Sequence, residues 1–100
     1  MELNLDFTTH QSLGNVNDEN YEDNHKSFKR AKALYNNDEE LVHDLILESF
    51  DNLGIEITEG MEIRIPIGDH LDGLISSLKF KVNAVNEKEA NLSLTKVFYR

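Results

Sequence analysis

Cysteine is absent from the 100-residue chain. That excludes disulfides, a thiol nucleophile and cysteine-ligated zinc or iron–sulfur centres, and it fits a reducing, cytoplasmic setting. No run of eighteen apolar residues occurs, and no basic-then-apolar signal follows Met1, so neither a membrane span nor secretion is expected. Glycines are few and never clustered, and no Walker A or GxGxxG motif is present to cradle phosphate. No serine sits in a GxSxG elbow. Carboxylate pairs are so abundant that none stands out as a glycosidase dyad. An enzyme is therefore the least favoured reading, and no cofactor is expected.

Basic residues are also scarce, ten Lys and Arg against nineteen Asp and Glu, for a formal net charge of −9. Residues 1–25 hold six acids and no Lys or Arg, and residues 26–36 hold four bases and no acids. Residues 37–78 hold eleven acids against Arg64 alone, while residues 79–100 hold five bases and two acids. Phosphate contacts need clustered Lys and Arg, so direct nucleic-acid binding is not expected. The balance favours solubility and a basic protein partner equally.

Four histidines raise the question of a metal. His10 and His25 lie near Asp18, Glu19, Glu22 and Asp23, and His70 lies between Asp69 and Asp72. None of them has HExxH or EF-hand spacing, so no metal site is expected.

The organising stretch is Asn36 to Gly68. Asn37 is expected as an N-cap, with Glu40 completing a capping box. Leu41, Val42, Leu45, Ile46, Ser49, Phe50 and Leu53 recur at helical spacing along one face. Gly54 stands where a left-handed C-cap belongs. A β-hairpin is expected next, with Ile55 and Ile57 alternating with Glu56 and Thr58, and Met61, Ile63, Ile65 and Ile67 forming the second strand. A Thr58-Glu59-Gly60 loop with Gly60 at positive φ would pair Ile57 with Met61 and Ile55 with Ile63.

Elsewhere, Leu3, Leu5 and Phe7 alternate as a strand. Residues 9–24 form an acidic irregular loop, pinned by Leu13, Val16 and Tyr21. Lys26 to Tyr35 read as a short helix with Phe28, Ala31 and Leu34 inward, and Asn36-Asn37 break it before the main helix. Leu71, Leu74, Ile75 and Leu78 fit a helix capped by Asp69, whereas Leu74, Leu78, Phe80 and Val82 fit a strand. The helix is preferred, over about residues 70–77. Phe80, Val82 and Ala84 should pair with Leu92 and Leu94, and the chain ends on the apolar run Val97-Phe98-Tyr99.

The expected fold is one α+β domain over residues 1–100. About five strands would form a mostly antiparallel sheet, with two main helices and a short third one packed on one face. Opposite the buried face of the main helix, Glu40, Asp44, Glu48 and Asp51 fall within about a quarter turn, with Leu47 at their margin and His43 beyond. This acidic ridge is the expected partner-binding surface, with Leu47 as an apolar anchor among steering charges. The favoured reading is a small protein-binding module of inhibitor, immunity or anti-defence character that occupies a basic site, nucleic-acid-binding in type, on a partner. The alternative is an assembly subunit joined through a sheet edge, with Val97 and Tyr99 on the polar strand face as the contact.

Overall fold

The computed structural model describes residues 1–7, 21–67 and 74–100, with the backbone alone for residues 21–25. The described elements run β1 (Glu2–Asp6), α1 (Tyr21–Asn37), α2 (Glu39–Leu53), β2 (Glu62–Pro66), β3 (Ile75–Val85) and β4 (Glu89–Tyr99). The four strands make one mixed sheet in the order β1-β4-β3-β2.

The described residues hold four strands where about five were expected, and the sheet is mixed because β1 runs parallel to β4, from Glu2 beside Glu89 to Asp6 beside Ser93. Alternation in Leu3 and Leu5 announces a strand but cannot name its partner at the far end of the chain. β3 and β4 form the long central hairpin, with Phe80 beside Leu94 and Val82 beside Leu92 as the spacing implies. Its turn is closed by the Asn86 side chain, whose Oδ1 accepts from the N–H of Lys88 at 2.8 Å and of Glu89 at 2.9 Å.

The expected hairpin over residues 55–67 does not form. Glu62–Pro66 pairs instead with β3, placing Ile63 beside Phe80 and Ile65 beside Leu78. Ile55 and Ile57 belong to no strand. A stretch that short offers few ladder bonds, while the eleven-residue β3 gives β2 five register pairs. Of the expected turn, the positive φ of Gly60 is present, at 88°. Its N–H bonds the Val82 carbonyl at 2.8 Å, and Val82 N–H returns to Met61 O at 2.8 Å, so the turn extends the β2–β3 ladder.

Residues 75–77 of the expected short helix are strand, with Ile75 beside Tyr99 and Ser77 beside Phe98. Leu74 is an exposed bend, and residues 70–73 of that helix, with its Asp69 cap, lie outside the described residues, as do Leu13 and Val16. α1 begins at Tyr21, so the last four residues of the expected loop 9–24 are helical, and the remainder lies outside the described residues. The α2 cap is Asp38 rather than Asn37: its Oδ1 accepts the Leu41 N–H at 3.1 Å. The Asp38 carboxylate is charged where Asn37 is neutral, which suits the positive helix end. Gly54 closes α2 with φ of 66°, as expected.

The core lies between the helices and one face of the sheet. Val42, Ile46 and Phe50 from α2 and Phe28, Ala31 and Leu34 from α1 meet Ile63, Ile65, Leu78, Phe80, Val82, Leu92 and Leu94. Leu41, Leu45 and Ser49 are half-buried at the margin of the α2 face, and Leu53 is exposed. Phe7 joins the two layers, 5.2 Å from the Tyr35 ring and edge-on to Phe80 at 5.9 Å.

Candidate functional site: an acid-rimmed apolar groove

Glu40, Asp44, Glu48 and Asp51 are all exposed on α2, on the side away from Val42, Ile46 and Phe50. The last turn of the helix carries no basic residue. Its unpaired carbonyls already place partial negative charge there, so Asp51 stands where an acid costs helix stability, typically about 0.3–1 kcal/mol. At the C-terminal end of the ridge the carboxylates add to the negative end of the helix dipole.

Leu47 does not stand alone among the acids. It is half-buried, resting on the core margin, and lines a groove of about 370 Å³ with Met1, Phe50, Asp51, Ile55 and Ile57. A second hollow of about 350 Å³ shares Met1 and Ile57 and continues to Glu56, Val85 and Glu87. Met1, Ile55 and the neighbouring Leu53 are 54%, 61% and 42% exposed. Single exposed apolar residues are ordinary on protein surfaces, but several sharing one concavity are not. Asp51, Glu56 and Glu87 supply carboxylates around it.

The structure thus joins Leu47 and Asp51 to Met1, Ile55 and Ile57, and leaves Glu40 and Asp44 further up the helix, away from the groove. Met1 and the two isoleucines were missed by sequence reasoning because Ile55 and Ile57 matched a half-buried strand. The signal that could have found them is Gly54: a left-handed cap turns the chain out of α2 and leaves the next residues beside its last turn.

At the other end of α2 the arrangement is structural. His43 is half-buried, and its Nε2 lies 2.9 Å from the Tyr35 hydroxyl. Burial, and then the nearby Glu39 carboxylate, raise the Tyr35 pKa above the usual tyrosine value. Lys32 Nζ covers the Phe7 and Tyr35 rings at 5.3 and 5.2 Å. His10, Asp18, Glu19, Asp69, His70 and Asp72 lie outside the described residues, and Glu22, Asp23 and His25 are described by their backbone alone, in α1. Among the described residues no three His, Asp or Glu converge to hold a metal ion, and no helix is long and apolar enough to cross a membrane.

The expected edge contact at Val97 and Tyr99 is not on the polar strand face. Val97 is buried beside Leu78, and the Tyr99 hydroxyl donates to Ser27 Oγ of α1 at 2.6 Å, on the helix side. An irregularity between the Lys79–Lys96 and Phe80–Leu94 pairs shifts the alternation by one residue, so Phe98 takes the polar face instead. Compared with protein-family models, curated proteins and solved structures, the chain matches none.

Proposed function

We propose that this chain is a small acidic protein-binding module whose docking site is the groove between Leu47 and Ile57. Its partner presents an apolar side chain flanked by Lys or Arg, as a basic site on an inhibited protein would. The observation that carries the reading is the coincidence of two features: the exposed apolar cluster sits where the acidic ridge meets the negative end of α2. The acids raise the encounter rate with a positive partner, and the apolar groove retains it. An inhibitor, immunity or anti-defence protein that covers a nucleic-acid-binding site works in this way.

The sheet edges support assembly less well. β1 and β2 flank the sheet with five residues each, and Pro66 at the end of β2 offers no N–H, features that blunt edge-to-edge pairing.

The test is affinity capture with the wild-type chain, followed by surface plasmon resonance with the protein captured. Replacing Asp44, Glu48 and Asp51 together by Lys should preserve the circular dichroism spectrum and slow association. Leu47→Ala and Ile55→Ala should leave association unchanged and speed dissociation. Wild-type kinetics in all three variants would remove the groove from the account.

A further inference from the structure

We propose that the outer face of the sheet is a second contact surface, which takes a single-stranded nucleic acid along its phosphate backbone. Strand register builds this face. Lys96 on β4, Lys79 on β3 and Arg64 on β2 are neighbours across three strands, and side chains of register partners project to the same side. With strands about 4.8 Å apart, the three cations line up over roughly 10 Å. Lys81 stands in the next row between Glu62 and Ser93. Carboxylates share this face: Glu62, bonded to Lys79 Nζ at 3.0 Å, Asp6 at the end of β1 beside Ser93, and, at the far end of β1 and β4, the register partners Glu2 and Glu89, the latter accepting from Asn4 Nδ2 at 3.3 Å.

Two of the cations are held in position. Arg64 Nε donates to Ser77 Oγ at 2.6 Å, and the guanidinium carbon lies 3.9 Å from the centre of the Phe98 ring. Lys96 Nζ lies 4.9 Å from the same ring. With Nε engaged by Ser77, the terminal nitrogens of Arg64 remain in a fork that fits two oxygens of one phosphate. Ordering these side chains in the free protein lowers the entropic cost of binding.

A phosphodiester chain suits this surface better than an acidic polypeptide. An aromatic ring with a guanidinium over it is a surface against which a base can stack. Asn91 and Asn83 on the same face carry amides able to meet base edges; Asn91 Oδ1 accepts from Asn4 Nδ2 at 2.8 Å, and Asn83 Nδ2 donates to Ser93 Oγ. An extended acidic peptide would gain its main-chain hydrogen bonds at a sheet edge, not across the face. Counted along the chain, cations are too sparse for phosphate binding; gathered by the sheet, they are not. The ridge acids lie on the far side of α2, itself about 10 Å thick, which exceeds the screening length of about 8 Å at physiological salt.

The experiment is fluorescence anisotropy of the full chain with a labelled oligothymidylate about twelve nucleotides long, at several salt concentrations between about 50 and 200 mM. Saturable binding is expected, with a log–log salt slope of about −2 to −3, since each phosphate contact contributes about −0.7. Replacing Lys79 and Lys96 together by Gln, at positions outside the core, should weaken binding tenfold or more and reduce the slope by about 1.4. Arg64→Lys should keep the charge and still weaken binding, because the fork and the ring contact are lost. No saturable binding at low salt overturns the proposal, as does a Lys79/Lys96 variant with wild-type affinity and slope. A polyglutamate peptide that binds as tightly as the oligonucleotide, or a duplex that does, overturns it equally.

Discussion

Phe50 holds the groove and the core together, so truncating it tests both. Its side chain is 7% exposed: the ring packs inward with Val42 and Ile46 and also lines the groove beside Leu47 and Met1. Phe-to-Ala changes in cores cost about 3–5 kcal/mol, the spread reflecting how far the site can collapse. Here one wall of the vacated space is the groove, so Met1, Leu47 and water can fill part of it. The cost should sit at the low end, about 3 kcal/mol. Ile46 is fully buried, with no open side. Ile46→Ala should therefore cost as much or more, about 4 kcal/mol, although isoleucine is the smaller side chain. For a domain of this size a loss of 3 kcal/mol lowers the Tm by about 12–24 °C. Urea unfolding followed by circular dichroism, with m-values compared, measures both variants. A Phe50→Ala loss below about 1 kcal/mol would refute the assigned helix face. A Phe50→Ala loss well above that of Ile46→Ala would refute the open-sided site.

The ridge should lower stability: Asp51→Asn is expected to raise unfolding free energy by about 0.3–1 kcal/mol by relieving the helix end while slowing partner association, and denaturant melts check the first part. The caps can be told apart, since Asp38→Ala should cost about 0.5–2 kcal/mol and Asn37→Ala much less; equal losses would return the cap to Asn37. Gly60→Val should cost about 1 kcal/mol or more from backbone strain alone, because a Cβ there would meet no atom within 4 Å; an unchanged melt would contradict the positive φ. The raised Tyr35 pKa has a sign. A native state that holds its proton more tightly contributes stability present below the unfolded value near pH 10, and that contribution is lost as pH rises through the native pKa. Melting curves at about pH 9 and 11 should therefore fall more for the wild type than for Tyr35→Phe.

Local signals carried the parts of the fold they can reach. The 3.6-residue period of α2, the Gly54 cap and the Phe80–Leu94 register are all properties of neighbouring residues, and each is present. Partner choice was not legible. Ile55 and Ile57 alternate as a strand would, yet β2 pairs with β3, whose eleven residues lie further along the chain. The N-terminal strand showed its alternation but not that it would run parallel to β4. The same limit governs the candidate site. Leu47 and the four acids follow from helix geometry, whereas Met1 and Ile55 come to the groove through tertiary contacts. The irregularity near Lys79 exchanged Tyr99 for Phe98 on the polar face, a one-residue shift that alternation alone cannot foresee.

The claim that the groove docks an apolar side chain flanked by cations is tested most directly by amide chemical-shift mapping. The probe is a short synthetic peptide alternating Leu with Lys, with an all-Lys peptide of equal length as control. Saturable shifts should cluster at Leu47, Asp51, Ile55, Ile57 and Val85, weaken as salt rises, and disappear in Ile55→Asp. The all-Lys peptide should give smaller shifts that do not saturate. Equal shifts with both peptides, or shifts spread along Glu40 and Asp44 and absent from the groove, would contradict the account.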